Sequence, residues 1–225
     1  MKTRLFTIGL ILLLSVSLAM AQTTEMGKTS FGILGGVNFQ TLTGTDHSGV
    51  KLENDMLTGY HGGINVQIPI APEFYFQPGL LYSLKGAKNT SGALTSSTKV
   101  SYIELPLNLL YRGQLGNGYV IIGFGPYVGY GIGGKVTTTG GDASLETDVT
   151  FQNSVALSDP VLATYFKPLD AGANIFAGYE MAGGLFFQLN TQLGMLTVNP
   201  ENAWFTDDKA SVKHTGFGLS LGYRL

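Results

Sequence analysis

After its first thirty residues the chain alternates between apolar and small or polar residues about eight times. The last stretch is the clearest. Odd positions of 215–225 are Thr215, Phe217, Leu219, Leu221, Tyr223 and Leu225, and the even positions are Gly216, Gly218, Ser220, Gly222 and Arg224. Successive strand residues point to opposite faces, so a period of two means a strand with one apolar face. Segments 30–41, 58–70, 74–85, 100–111, 119–132, 170–181, 185–196 and 214–225 read as strands. Each holds roughly 12 residues, above the five or six usual in soluble sheets and suited to a tilted membrane strand.

The connections alternate in length. Those at 42–57, 86–99, 133–169 and 197–213 are long, whereas 71–73, 112–118 and 182–184 are short and carry Ala71-Pro72-Glu73, Gly116-Asn117-Gly118 and Ala182-Gly183-Gly184. Short turns at one end and long loops at the other are the habit of outer-membrane barrels. Aromatics fall into two belts on the apolar faces. Phe31, Phe74, Phe76, Tyr111, Tyr179, Phe187 and Tyr223 lie toward the short turns, and Phe39, Tyr60, Tyr82, Tyr130 and Phe217 toward the long loops. The pattern predicts an all-β fold, an eight-stranded antiparallel up-and-down transmembrane β-barrel with both termini periplasmic. Inward glycines such as Gly123, Gly125, Gly129 and Gly131 make room for bulky neighbours, so the lumen is expected to be filled, as eight strands leave space only for side chains. Pro78, Pro106 and Pro126 fall inside strands and cannot donate to the ladder, so bulges or register breaks are expected there.

The N-terminus sets the compartment. Lys2 and Arg4, the apolar run Leu5–Leu18 and the Ala19-Met20-Ala21 site read as a signal peptide, residues 1–21, with the barrel domain in 22–225. Its removal takes two basic residues and no acid, leaving 11 basic and 15 acidic residues in 22–225. A mildly acidic exported chain argues against nucleic-acid binding. There is no cysteine, which excludes a disulfide framework and thiolate chemistry.

Ser101–Arg112 reads SYIELPLNLLYR, Lys167–Glu180 reads KPLDAGANIFAGYE, and Phe31–Phe39 reads FGILGGVNF. These stretches resemble the PorT-like outer-membrane β-barrel family of Gram-negative envelopes, over Phe31 to Leu225. The resemblance implies an integral protein of the cell outer membrane. Its partners would be outer-membrane lipid, the outer-membrane assembly machinery and envelope or secretion proteins. It assigns no catalytic residue. Leu225 stands where outer-membrane proteins commonly end in an aromatic.

Candidate chemistry is sparse. Arg112, Glu180 and Arg224 share the inward parity at the short-turn ends of their strands, and a charge cluster closing that mouth is expected, because charges in a narrow lumen must pair. The three histidines are His47, His61 and His214, and a hydrolase would need Ser83 or Ser101 to meet His61. No HExxH, GxSxG or phosphate-loop signature occurs. The loop acids Asp46, Glu53, Asp55, Asp142, Glu146, Asp148, Asp207 and Asp208 match no calcium spacing and read as solvated surface. The leading expectation is therefore a non-enzymatic envelope scaffold, interaction or secretion-accessory protein, without cofactor or metal. The alternatives are a small porin-like pore and, behind it, a barrel hydrolase. Within 133–169, Val136–Thr139 and Asp148–Val155 are expected to form a hairpin.

Overall fold

The computed structural model describes residues 27–205 and 207–225, so the signal-peptide segment lies outside the described residues. Twelve strands occur among those residues. They are β1 (Ser30–Thr45), β2 (Leu57–Ala71), β3 (Phe74–Ser91), β4 (Leu94–Leu115), β5 (Gly118–Gly140), β6 (Ala143–Phe151), β7 (Ser154–Val155), β8 (Thr164–Phe166), β9 (Leu169–Met181), β10 (Leu185–Gly194), β11 (Glu201–Asn202) and β12 (Ser211–Arg224). Eight of them form a ring in the order β1, β2, β3, β4, β5, β9, β10, β12, each pairing antiparallel with the next, and β12 returning to β1. The short connections gather at one end of the ring, the turn end, with the C-terminus. The long ones gather at the other, the loop end.

The expectation of eight strands of similar length needs correcting. β3, β4 and β5 run to 18, 22 and 23 residues. Segment 86–99 is no loop but a hairpin, paired from Gly86 with Lys99 up to Ser91 with Leu94. The same stretch of β4 pairs with β5, and β5 pairs with β6 from Gly140–Ala143 down to Lys135–Asp148. The result is a four-stranded wall rising from one side of the ring. Two-residue turns close its hairpins, with Gly92 at φ 59 and Gly141 at φ 57, the left-handed conformation that such turns need and glycine supplies without strain. Thr90, Thr95, Thr139 and Ser144 form one cross-strand row on the wall, so its Ser/Thr-rich composition belongs to strands, in which threonine is at home. Lys135 and Glu146 pair on its outer face, and that hydrogen bond raises the lysine pKa.

Outside, the ring is aliphatic and aromatic. Phe31, Ile33, Tyr60, Ile64, Phe124, Tyr130, Ile175, Leu189, Leu219 and Leu221 are each more than half exposed, and others, among them Phe76, Phe217, Val37 and Ile122, are exposed by between a third and a half. Inside, Asn38, Gln40, Asn65, Gln67, Gln77, Asn108 and Gln188 are buried. A soluble sheet buries its apolar face, and this one exposes it, as a cylinder surrounded by lipid must. Inward side chains lie across glycines of the neighbouring strand. A Cβ on Gly123 would sit 2.2 Å from the Phe176 ring, one on Gly222 2.2 Å from the Phe186 ring, and one on Gly32 2.6 Å from the Arg224 guanidinium.

The prolines act differently from the expected bulges. Between β2 and β3, Val66 and Gln67 drop out of the ladder opposite Gln77 and Pro78. Between β3 and β4, Gly79 and Leu80 drop out opposite Leu105 and Pro106, and between β4 and β5, Leu107 and Asn108 do so opposite Gly125 and Pro126. Register is kept across all three lapses. Register shifts occur elsewhere, at Pro69/Ala71 and at Ser101/Tyr102. A proline lacks the N–H that the ladder needs, so the lapses line up as a seam through three neighbouring interfaces. On the opposite side, β1–β2, β1–β12, β10–β12 and β9–β10 pair without interruption among the described residues.

Candidate functional site

The lumen is stratified. At the turn end the structure brings Arg112, Glu180 and Arg224 together. Arg112 Nη2 donates to Glu180 Oε1 at 2.8 Å and its Nε to the same oxygen at 3.2 Å. Arg224 Nε lies 3.6 Å from Glu180 Oε2. Gly32 of β1 has no side chain in the way, so Arg224 reaches across it to donate from Nη1 to Asn65 Oδ1 at 2.5 Å. Arg112 also stacks on the Tyr119 ring, 3.3 Å from its centroid, and Arg224 lies 5.2 Å from that of Phe186. Glu180 is almost wholly buried, while Arg112 keeps 21% of its side chain accessible. An apolar floor of Tyr75, Leu110, Ile121, Phe176 and Phe186 lies beside this trio.

A second trio, which the sequence reading missed, sits toward the loop end. Lys85 Nζ lies 2.6 Å from Glu104 Oε1 and 2.8 Å from Asp170 Oδ2. Lys85 and Asp170 are 0% exposed and Glu104 3%. Register builds the arrangement: Glu104 of β4 and Asp170 of β9 both face Gly129 of β5, which brings the two carboxylates to one level. Tyr127 donates to Asp170 at 3.3 Å, its ring lies 4.4 Å beneath the ammonium, and Gln192 Nε2 donates to Glu104 Oε2 at 3.0 Å. Above it, Leu42, Ala87, Val100, Tyr102, Val149, Phe166 and Val198 form a roof. Val149, Phe166 and Val198 come from segments between β5 and β12, so the long connections fold inward over the mouth.

The histidines do not assemble the hydrolase site that was considered. His61 faces Ser83 in register, yet its Nε2 meets Ser220 Oγ at 2.7 Å, and Asn190 Nδ2 donates to the same oxygen at 3.0 Å. Ser83 instead bonds Asn38, and Ser101 bonds the Tyr82 hydroxyl at 2.8 Å. His214 meets the Tyr102 hydroxyl at 3.2 Å inside the roof. His47 pairs with Asp208 at 2.8 Å and stacks on Phe205 at the loop end. Among the loop acids, Asp46 accepts from the backbone N–H groups of Ser48 and Val50, both at 2.9 Å. No group of three or more His, Cys, Asp or Glu side chains converges as a metal site among the described residues.

A closed antiparallel ring, lipid-type outside and polar inside, meets an independent match at this point. Residues 20–196 fit the family model described as an outer membrane protein beta-barrel domain. The chain belongs to that family. Its place is accordingly the outer membrane, as an integral barrel. Among solved structures it is similar to the attachment invasion locus protein Ail of Yersinia pestis, at 9% identity over 87% of this chain and 99% of that one, with a TM-score of 0.38. A second structure of Ail, in complex with the heparin analogue sucrose octasulfate, is similar at 10% identity, with the same coverage and a TM-score of 0.37. No curated relative matches the chain at a significant level.

Proposed function

We propose that this barrel works without catalysis, as an interaction or secretion-accessory protein of the PorT-like kind, displaying its loop end to partners outside the cell. In this reading both termini and the turn end face the periplasm. The observation that carries it is the contrast between a lumen filled at two levels and a wall that rises beyond it. Side chains, charges and inward-folded loops occupy the lumen, which leaves the projecting surface as the place to meet a partner. That surface is well furnished. Leu94 and Leu145 are more than half exposed near the hairpin tips, and Leu157, Val161 and Leu162 more than 70% exposed in the loop beyond β7. In this reading the Ser220–His61 pair is no hydrolase site: among the described residues no carboxylate hydrogen-bonds the imidazole, and the pair faces the lumen.

The test uses the lack of native cysteine. Single cysteines at Thr95, Thr139 and Leu162, and at Asn117 in a short turn, are coupled to a photo-cross-linker in intact cells. Adducts from the first three positions are expected. Adducts from Asn117 alone would move the working surface to the periplasm, and no adducts anywhere would remove the interaction role. Purified protein in planar bilayers is expected to be electrically silent, and steady single-channel steps would favour the pore instead.

A further inference from the structure

Between the two trios the lumen keeps a cavity of about 80 Å³, room for a few waters and no polypeptide, so a partner chain meets the protein outside it. The wall offers such a chain two edges, and they are finished differently. The edge made by β3 is closed. Asp55 of the first loop exchanges backbone hydrogen bonds with Lys88, at 2.7 and 3.1 Å, and Asn89 Nδ2 donates to the Glu53 carbonyl at 3.0 Å. The edge made by β6 is closed only toward the ring, where β8 pairs with residues 149–151. Over residues 143–148, β6 pairs with β5 on one side, and on the other no strand pairs with it among the described residues.

That open edge is regular. The pairing of β5 with β6 runs from Gly140–Ala143 to Lys135–Asp148 without a register shift. The residues flanking a two-residue hairpin turn form a hydrogen-bonded pair, and such pairs alternate along an antiparallel ladder. Ala143, Leu145 and Thr147 therefore commit their backbone groups to β5, and Ser144, Glu146 and Asp148 each direct an N–H and a C=O away from it. The row spans about 20 Å of strand and is a ready template for a further one. Natural sheets blunt such edges with a bulge, a proline, a covering segment or charge. Among the described residues, charge is the one guard that 143–148 has, and charge has a sign.

Ser144, Glu146 and Asp148 share one face, and Thr147 and the exposed Leu145 share the other. Lys135 of β5 pairs with Glu146, which leaves Asp148 without an ion pair among the described residues. β6 carries acids and no base, so a second copy of this chain would bring like charge to like. A strand with basic residues at alternate positions answers Glu146 and Asp148, and apolar residues between them cover Leu145. We propose that residues 143–148 receive an extended basic segment of a partner protein as a further strand of the wall. Main-chain bonds to Ser144, Glu146 and Asp148 hold it, and the two acids select its charge. This names the surface and the kind of partner for the interaction reading above, and it rests on that reading.

The probe is a capped peptide of lysine alternating with valine, as long as the edge, added to the folded barrel in nanodiscs. It is expected to bind and to slow amide exchange at Ser144, Glu146 and Asp148, and a peptide of glutamate alternating with valine is expected to do neither. Methylating the backbone nitrogens of its lysines keeps the charge, removes the donors that face β6 and is expected to abolish binding. Asp148→Asn is expected to weaken binding about threefold. Ser144→Pro removes an edge N–H and no bond to β5, and is expected to weaken binding about tenfold. If that variant does not fold, the methylated peptide decides on the unaltered protein. Equal binding of the methylated or the acidic peptide would mean simple adhesion and overturns the proposal. No binding up to the solubility limit of the lysine peptide overturns it as well. The interaction reading stands or falls separately, on the cross-links from Thr95, Thr139 and Leu162.

Discussion

Two trios of charge stop the two ends of the lumen, and they are built with opposite excess. The loop-end trio has two acids around one base, and the turn-end trio has two bases around one acid. They also differ in burial. Lys85 and Asp170 are sealed from solvent under an apolar roof, while Arg112 keeps a fifth of its side chain accessible. The same device thus operates in two dielectric settings. In the sealed trio a lost partner strands a charge that water does not reach, and in the open one water replaces part of what is lost.

The largest effect is expected from Lys85→Met. Two buried carboxylates would be left facing each other, a cost of roughly 3–5 kcal/mol for a broken buried pair, enough to lower the urea midpoint of heat-modifiable folded protein steeply. Replacing the whole trio by Lys85→Met, Glu104→Leu and Asp170→Leu together is expected to recover much of that loss, since well-packed apolar residues often replace a buried ion group at little cost. If the triple variant is as unstable as the single one, packing and not stranded charge governs the site.

Glu180→Gln is expected to cost less, because Arg112 reaches solvent and Arg224 keeps Asn65. About 1–3 kcal/mol is expected for a buried hydrogen-bonded group lost, read from the same midpoint. Arg112→Gln should cost under about 1 kcal/mol, as partly exposed pairs do. A loss equal to that of Lys85→Met would erase the distinction between the two ends. The smallest effect is a gain at the turn end. Glu73 has φ 64, a conformation costly for any residue with a Cβ, and Glu73→Gly is expected to stabilise the barrel by about 1 kcal/mol.

The two trios also differ in how far the sequence discloses them. Arg112, Glu180 and Arg224 stand next to the short turns, where strand ends are marked by glycine, asparagine and proline, so their shared parity and level can be counted from the turn. Lys85 stands where the alternation gives way to Gly86 and a Ser/Thr-rich run, which read as a loop, and a residue at a loop's edge looks like a solvated rim. Asp170 shares the parity of Glu180 on its strand, yet nothing local ties it to Lys85, 85 residues away, or to Glu104. The hairpin turn at Gly92 sets Lys85 opposite Val100, four residues from Glu104, and the pairing of β5 with β4 and β9 sets Glu104 level with Asp170. The ring, its apolar outside and the filled lumen were legible because period-two patterning is local. A hairpin within 133–169 and disturbance at the three prolines were legible too, but the hairpin's second arm is Ala143–Asp148 and not Asp148–Val155. The part of 86–99 in the wall, the roof and the alignment of the lapses were not, because each depends on which strands become neighbours.

The seam of prolines also makes the cylinder uneven in stiffness. Hydrogen-bonded ladders resist shear between strands, and from β2 to β5 that resistance is interrupted at one level, whereas on the side of β9, β10, β12 and β1 it is continuous. A tube with one compliant flank deforms there first when the surrounding bilayer thins, thickens or bends. Amide exchange along Gly79–Leu81 and Leu105–Asn108 should therefore respond to lipid chain length while Leu219–Tyr223 stays unchanged. Because Gly79 and Pro106 also border the lumen cavity, the thickness of the membrane becomes a variable that the interior can register.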